Sequence, residues 1–204
     1  LEQLGNARVA LAEMSQDTII AVFVLLFSWG VLKYNGFVDK QEAVNTAWSQ
    51  VENQYQRRLD LIPNLVETVK GYAAHESETL TAVIEARSKA TAANINADNL
   101  TEENLAKFQQ SQDQLSSALS RLMVVVERYP DLKANQNFRD LQVQLEGTEN
   151  RITVARQDFN AIAKTYNVAV RRFPANIIAG MMNFDQRPYF KADEGAEKAP
   201  QVKF

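Results

Sequence analysis

The chain contains no cysteine. That removes disulfides, thiol nucleophiles and thiolate metal ligands together. Histidine occurs once, as His75 in HESET. A zinc-binding helix needs a second histidine four residues on, which is missing here, and carboxylates alone suit zinc poorly. A Gly-rich phosphate loop, a Ser-centred elbow and a dinucleotide fingerprint are absent as well. These gaps point away from an enzyme: they leave no catalytic residue, no cofactor site and no metal site to nominate. With 7 Gly and 5 Pro in 204 residues there is little material for hairpins, so the expected class is all-α. The net charge of −3, with both signs interspersed, describes solvated helix faces and gives no basic footprint for nucleic acid.

Charge is also missing from Thr18 to Leu32, TIIAVFVLLFSWGVL. The run is apolar all round and no small-residue cleavage site follows it, which predicts a transmembrane helix over residues 18–33 rather than a core helix or a cleaved signal. At about 15 residues, or roughly 22 Å, it is short for a bilayer. Ser15 and Gln16 can extend it, and Trp29 with Tyr34 suits an aromatic interface belt. Residues 1–17 form a leader with Leu4, Leu11 and Met14 loosely on one side. It reads either as an amphipathic helix on the bilayer or as a flexible segment. Tyr34, Asn35 and Gly36 are expected to make a flexible break.

The dominant pattern lies between Ala43 and Tyr72. Val44, Trp48, Val51, Tyr55, Leu59, Ile62, Val66 and Val69 follow one another at spacings of three and four, one continuous stripe on a helix. Pro63 sits inside the stripe and predicts a bend rather than a stop, with an unpaired carbonyl nearby. The polar set Gln54, Arg57, Arg58, Asp60 and Asn64 is the candidate network. Arg57 can meet Asp60 at i+3, and Asp60 can meet Asn64 at i+4. The set serves either to fix helix register or as a recognition surface for protein or lipid. Trp48, Tyr55 and Tyr72 suit a core better than a ligand cage.

This first helix is expected to run on to about Ala93. NINADNLTEEN punctuates the chain, with Thr101 as a helix start. A second helix carries Leu105, Phe108, Gln112, Leu115, Leu119, Leu122, Val126 and Tyr129, with Gln112 the one polar member. Tyr129-Pro130 is a tight link that requires antiparallel neighbours. A third helix, from Phe138 through Leu145, Thr148, Ile152, Phe159 and Tyr166 to Phe173, keeps the same alternation, as in coiled-coil packing. PANIIAGMMNF reads as a short fourth helix. Arg171-Arg172 beside Phe173 either meets anionic headgroups or complements a helix dipole. The predicted architecture is an N-terminal transmembrane helix, then an elongated antiparallel three- or four-helix bundle over residues 37–185, then an extended tail over 186–204.

NTAWSQVENQYQRR followed by DLIPNLVETVKGYAAHE resembles the signature of the LemA family, as do TYNVAVRRFPANIIAG, RPYF and the closing KAPQVKF. The resemblance covers roughly residues 34–204. It implies a bacterial inner-membrane protein with a single anchor and a helical bundle, and it brings no settled reaction. One branch of the family is associated with forming magnetosome membranes, which fits a scaffold that self-assembles and organises membrane. Family genes often lie near membrane-bound quality-control metalloproteases, which makes an adaptor of such a protease the rival. Lysine and arginine around the anchor are too evenly placed to set its orientation, and the expectation is an extracytoplasmic bundle.

Self-association is expected through the membrane-proximal part. On the lengths above, the first helix outreaches the second by about 26 residues, or 39 Å. Val44, Trp48, Val51 and Tyr55 would lie in that overhang, an apolar surface for neighbouring copies to bury. Glu13 and Asp17, at the edge of the apolar run, would need water, headgroups or a neighbouring subunit.

Overall fold

The computed structural model describes residues 16–191, all-α throughout. The leader up to Ser15, with Glu13, lies outside the described residues, as do the last residues of the tail. Helix α1, Gln16–Lys70, is one unbroken helix of 55 residues. It passes through Tyr34, Asn35 and Gly36, where a break was expected. A glycine inside a helix costs about 1 kcal/mol relative to alanine. Here the neighbouring side chains offset that cost, because Tyr34 and Phe37 both pack on the Phe184 ring, with centroids 5.6 and 5.3 Å apart.

The N-terminal part of α1 stands clear of the rest of the protein. None of the residues in its apolar stretch is buried, and Phe27 is 74 % exposed. Apolar surface of this extent, on a helix of this length, belongs in hydrocarbon. The protein is a membrane protein with one transmembrane helix among the described residues.

The first helix ends at Lys70 rather than near Ala93. Gly71 follows, and a turn over residues 71–76 reverses the chain, with Ala73 N–H donating to Val69 O at 2.8 Å. Helix α2, Ser77–Ala92, then runs back along α1. The periodicity hid this reversal. Ala73 and Leu80 are both buried and seven positions apart, two helical turns, so the apolar stripe stays in phase across the turn. The turn is held from outside: Glu76 accepts from Arg128 and from the Tyr129 hydroxyl, and Asn135 donates to the Tyr72 hydroxyl at 2.9 Å.

A 3-10 turn, Ala97–Asn99, leads to α3, Glu102–Val126, whose start is capped by Thr101 accepting from Asn104 N–H, as expected. Pro130 opens a separate short helix, α4, Pro130–Ala134. Asn135 then caps α5, Gln136–Arg171. After a cis Phe173–Pro174 bond comes α6, Ala175–Met181. Helices α1, α2, α3 and α5 alternate in direction. Trp48 meets Phe159 while Phe37, nearer the membrane, packs in one cluster with Val170 and Ala175.

Beyond α6 the chain is irregular, and its described part is docked against the bundle. The Asn167 and Asn160 side chains each grip the backbone in both directions. Asn167 binds Arg187 N–H and C=O, both at 2.8 Å, and Asn160 binds Phe190 at 2.9 and 3.0 Å. Phe190 then stacks on Trp48 and meets Phe159 edge-on.

Candidate functional site

The core divides into two clusters. One, far from the membrane, includes Leu59, Ile62, Leu115, Leu122 and Leu145. The other, near it, includes Val44, Trp48, Val51, Tyr55, Phe108, Ile152 and Phe159. The boundary between them falls at Arg58.

Arg58 is 1 % exposed. Its Nη1 donates to Ser116 Oγ at 2.9 Å and to Glu149 Oε1 at 2.7 Å. Its Nη2 donates to the Gln112 carbonyl oxygen at 3.4 Å and to Gln112 Oε1. Gln112 and Thr148 are themselves buried at this level. A buried cation is tolerated only when its donors are satisfied, and here two helices, α3 and α5, supply acceptors. Nε alone has no partner. The guanidinium lies 5.2 Å from the centroid of the Tyr55 ring. Burial pushes the Tyr55 phenol above its ordinary range, against the pull of the Arg156 and Arg58 charges.

The candidate network is therefore split. Arg58 alone of the five reaches across the bundle. Arg57, Asp60 and Asn64 lie on the exposed face, and Asp60 accepts from Gln56 at 2.7 Å instead of meeting Arg57 or Asn64. Gln54 is half-buried, with an Oε1 that is closed off from solvent and lacks a donor. The partners Gln112, Ser116 and Glu149 escaped sequence reasoning. The available signal was polar residues on otherwise apolar seams, Gln112 in α3 and Thr148 in α5.

Helix α1 continues through Pro63. The carbonyl that Pro63 cannot serve, Leu59 O four residues back, accepts instead from Arg87 Nε on α2 at 2.9 Å. The unpaired carbonyl expected from the sequence is thus present, and a cation from the neighbouring helix fills it.

The overhang is corrected. Val44, Trp48, Val51 and Tyr55 are all buried within the single chain, Trp48 completely. Because α2 folds back and α5 runs along α1 outside the span, Phe108, Phe159 and Phe190 close over Trp48. No second copy is needed to cover these four side chains, which form core. What stays open is a groove of about 780 Å³ on the other side of α1 and α5, lined among others by Ala43, Ala47, Gln54, Arg151, Val154 and Asp158.

His75 is exposed on the α1–α2 turn. Among the described residues no cluster of three or more His, Asp or Glu could hold a metal ion.

The LemA family model matches residues 47–204. Magnetosome protein MamQ 1 of Paramagnetospirillum magneticum is 28 % identical, over 93 % of this chain and 75 % of that protein. Magnetosome protein MamQ of Magnetospirillum gryphiswaldense is 28 % identical, over 78 % of this chain and 65 % of that one. Protein LemA of Metamycoplasma hominis is 25 % identical, over 86 % and 76 %.

Proposed function

The chain belongs to the LemA family, and on that premise we propose that it is a non-enzymatic, membrane-anchored scaffold that self-assembles and organises or remodels the bacterial inner membrane. The observation that carries this reading is the open groove between α1 and α5. Ala43, Ala47 and Ala155 keep its floor low, so a helix from a second copy can approach closely, and exposed Val154 offers apolar contact. Gln50 and Gln54 add polar groups along the same groove. Arg151 and Asp158 put opposite charges on one surface, so two such grooves related by a two-fold axis complement each other. Relatives named as magnetosome proteins support work at a membrane.

In this reading α1 and α5 pack like a coiled coil, the Arg58 layer fixes their register, and the bundle stands on the extracytoplasmic side. The chain has no native cysteine to interfere, so Gln50→Cys and Val154→Cys variants, both at exposed groove positions, report the interface directly. Disulfide-linked dimers or ladders in membranes, with masses above the monomer by mass photometry in detergent, are expected. A purely monomeric mass at micromolar concentration, without crosslinks, overturns the scaffold and favours an adaptor of a membrane-bound quality-control metalloprotease. Protease protection of the bundle in intact spheroplasts decides the side.

A further inference from the structure

Helix α6 sits beside the end of the membrane span. Exposure along α1 first falls at Trp29 and Gly30. Ile178 of α6 lies against Gly30, its Cδ1 3.9 Å from where a Cβ would stand. Ala175 and Ala179 turn inward to the membrane-proximal core. The opposite side of this segment carries Phe173 (77 % exposed), Ile177, Met181 (73 % exposed) and Met182. Phe173, Ile177 and Met181 follow at four-residue intervals, and Gly180 between them has nothing within 4 Å. Large apolar side chains are thus concentrated at the level where the apolar run of α1 gives way to Lys33. Exposed Arg171 and Arg172 adjoin them.

We propose that Phe173 and α6 form a second membrane-contact site, lying in the interface of the leaflet from which α1 emerges, with Arg171 and Arg172 on anionic lipid phosphates. Two observations select lipid as the occupant. The face is continuous with a helix surface that is itself in hydrocarbon, so anything covering it sits at the bilayer boundary. The apolar run of α1 also falls short of the roughly 30 Å hydrocarbon core. A short span is accommodated by thinning the bilayer or by flanking groups, and α6 supplies apolar surface where α1 runs out. Amphipathic helices with basic flanks bind in the plane of the interface in this way. The site is independent of self-assembly through the groove.

The test uses the full chain in vesicles of phosphatidylcholine with phosphatidylglycerol. Single cysteines replace Ile177 or Met181, both exposed, and carry an environment-sensitive fluorophore. Asp131→Cys, at the far end of the bundle, is the control, and circular dichroism verifies each fold. Labels at 177 and 181 should emit to the blue of the control and be quenched by a shallow nitroxide lipid at least about threefold more strongly, as for groups at the headgroup boundary. Water-like emission without lipid quenching overturns the site. Blue-shifted emission without lipid quenching also overturns it, because the cover is then protein. Quenching at 181 should weaken in phosphatidylcholine alone and in the R171Q/R172Q variant. Equal quenching in both overturns the arginine–phosphate assignment.

Discussion

Arg87 and Pro63 should be coupled although they lie on different helices. Pro63 cannot donate to Leu59 O, and Arg87 Nε does so at 2.9 Å. Leu59 is buried. Removing the donor strands a carbonyl away from water, at about 1–3 kcal/mol. Arg87→Met keeps the aliphatic stem and removes only the donor, so it isolates that cost. In a Pro63→Ala background residue 63 has its own N–H, which can close the normal i to i−4 bond to Leu59 O. There Arg87→Met should cost under about 1 kcal/mol. The expected coupling is therefore about 1–2 kcal/mol, beyond the roughly 0.3–0.5 kcal/mol scatter of independent sites. The measurement is a four-corner cycle of urea unfolding in detergent, followed by far-ultraviolet circular dichroism at constant m-value. Equal costs of Arg87→Met in both backgrounds would refute the reasoning and leave the Arg87 contact without energetic weight.

Three further outcomes can be measured in the same preparation. Phe190→Ala should cost about 3–5 kcal/mol, because the ring fills the site between Trp48 and Phe159, and trypsin should then cut faster after Lys191, whose carbonyl Gln109 and Arg156 hold, before the bundle unfolds. Arg58→Met should cost about 1–3 kcal/mol by stranding Gln112 and Ser116, while a Gln112→Leu partner should recover most of it, since an apolar pair can replace a buried polar one; a double variant no better than Arg58→Met refutes this. Tyr55 and Tyr166 are pushed up by burial, and Tyr129 by its hydrogen bond to Glu76. Above about pH 10 the unfolded chain releases these protons while the folded one still holds them, so stability should fall there as pH rises. A denaturation midpoint that stays flat from pH 9 to 11 would count against it.

The stripe from Val44 to Val69 was legible because a helix buried along one side must repeat its apolar residues every three or four positions. The same regularity concealed the turn after Lys70, since the spacing of Ala73 and Leu80 leaves no slip to read. Thr101 announced its helix because a cap is a local interaction, and its signal lies within four residues. The Arg58 layer was only half legible. Arg58 was singled out, but its partners lie 54 to 91 positions away, and no local rule connects them. The overhang failed for the same reason: what covers Trp48 depends on where α5 and the tail return, and Phe190 lies in a stretch with no periodicity to follow.

The absence of any break in α1 has a mechanical consequence. From Lys33 to Lys70 the helix extends about 55 Å beyond the span at 1.5 Å per residue. Without a hinge at Gly36, the anchor and the bundle act as one lever. A change of about 10° in anchor tilt, well within the range of about 0–40° that such helices adopt, swings the far end by about 10 Å. Local thinning or bending of the bilayer is thereby converted into displacement of the turn at Gly71. The coupling also runs in reverse: copies whose bundles are held together at a fixed angle impose that angle on the lipid around their anchors.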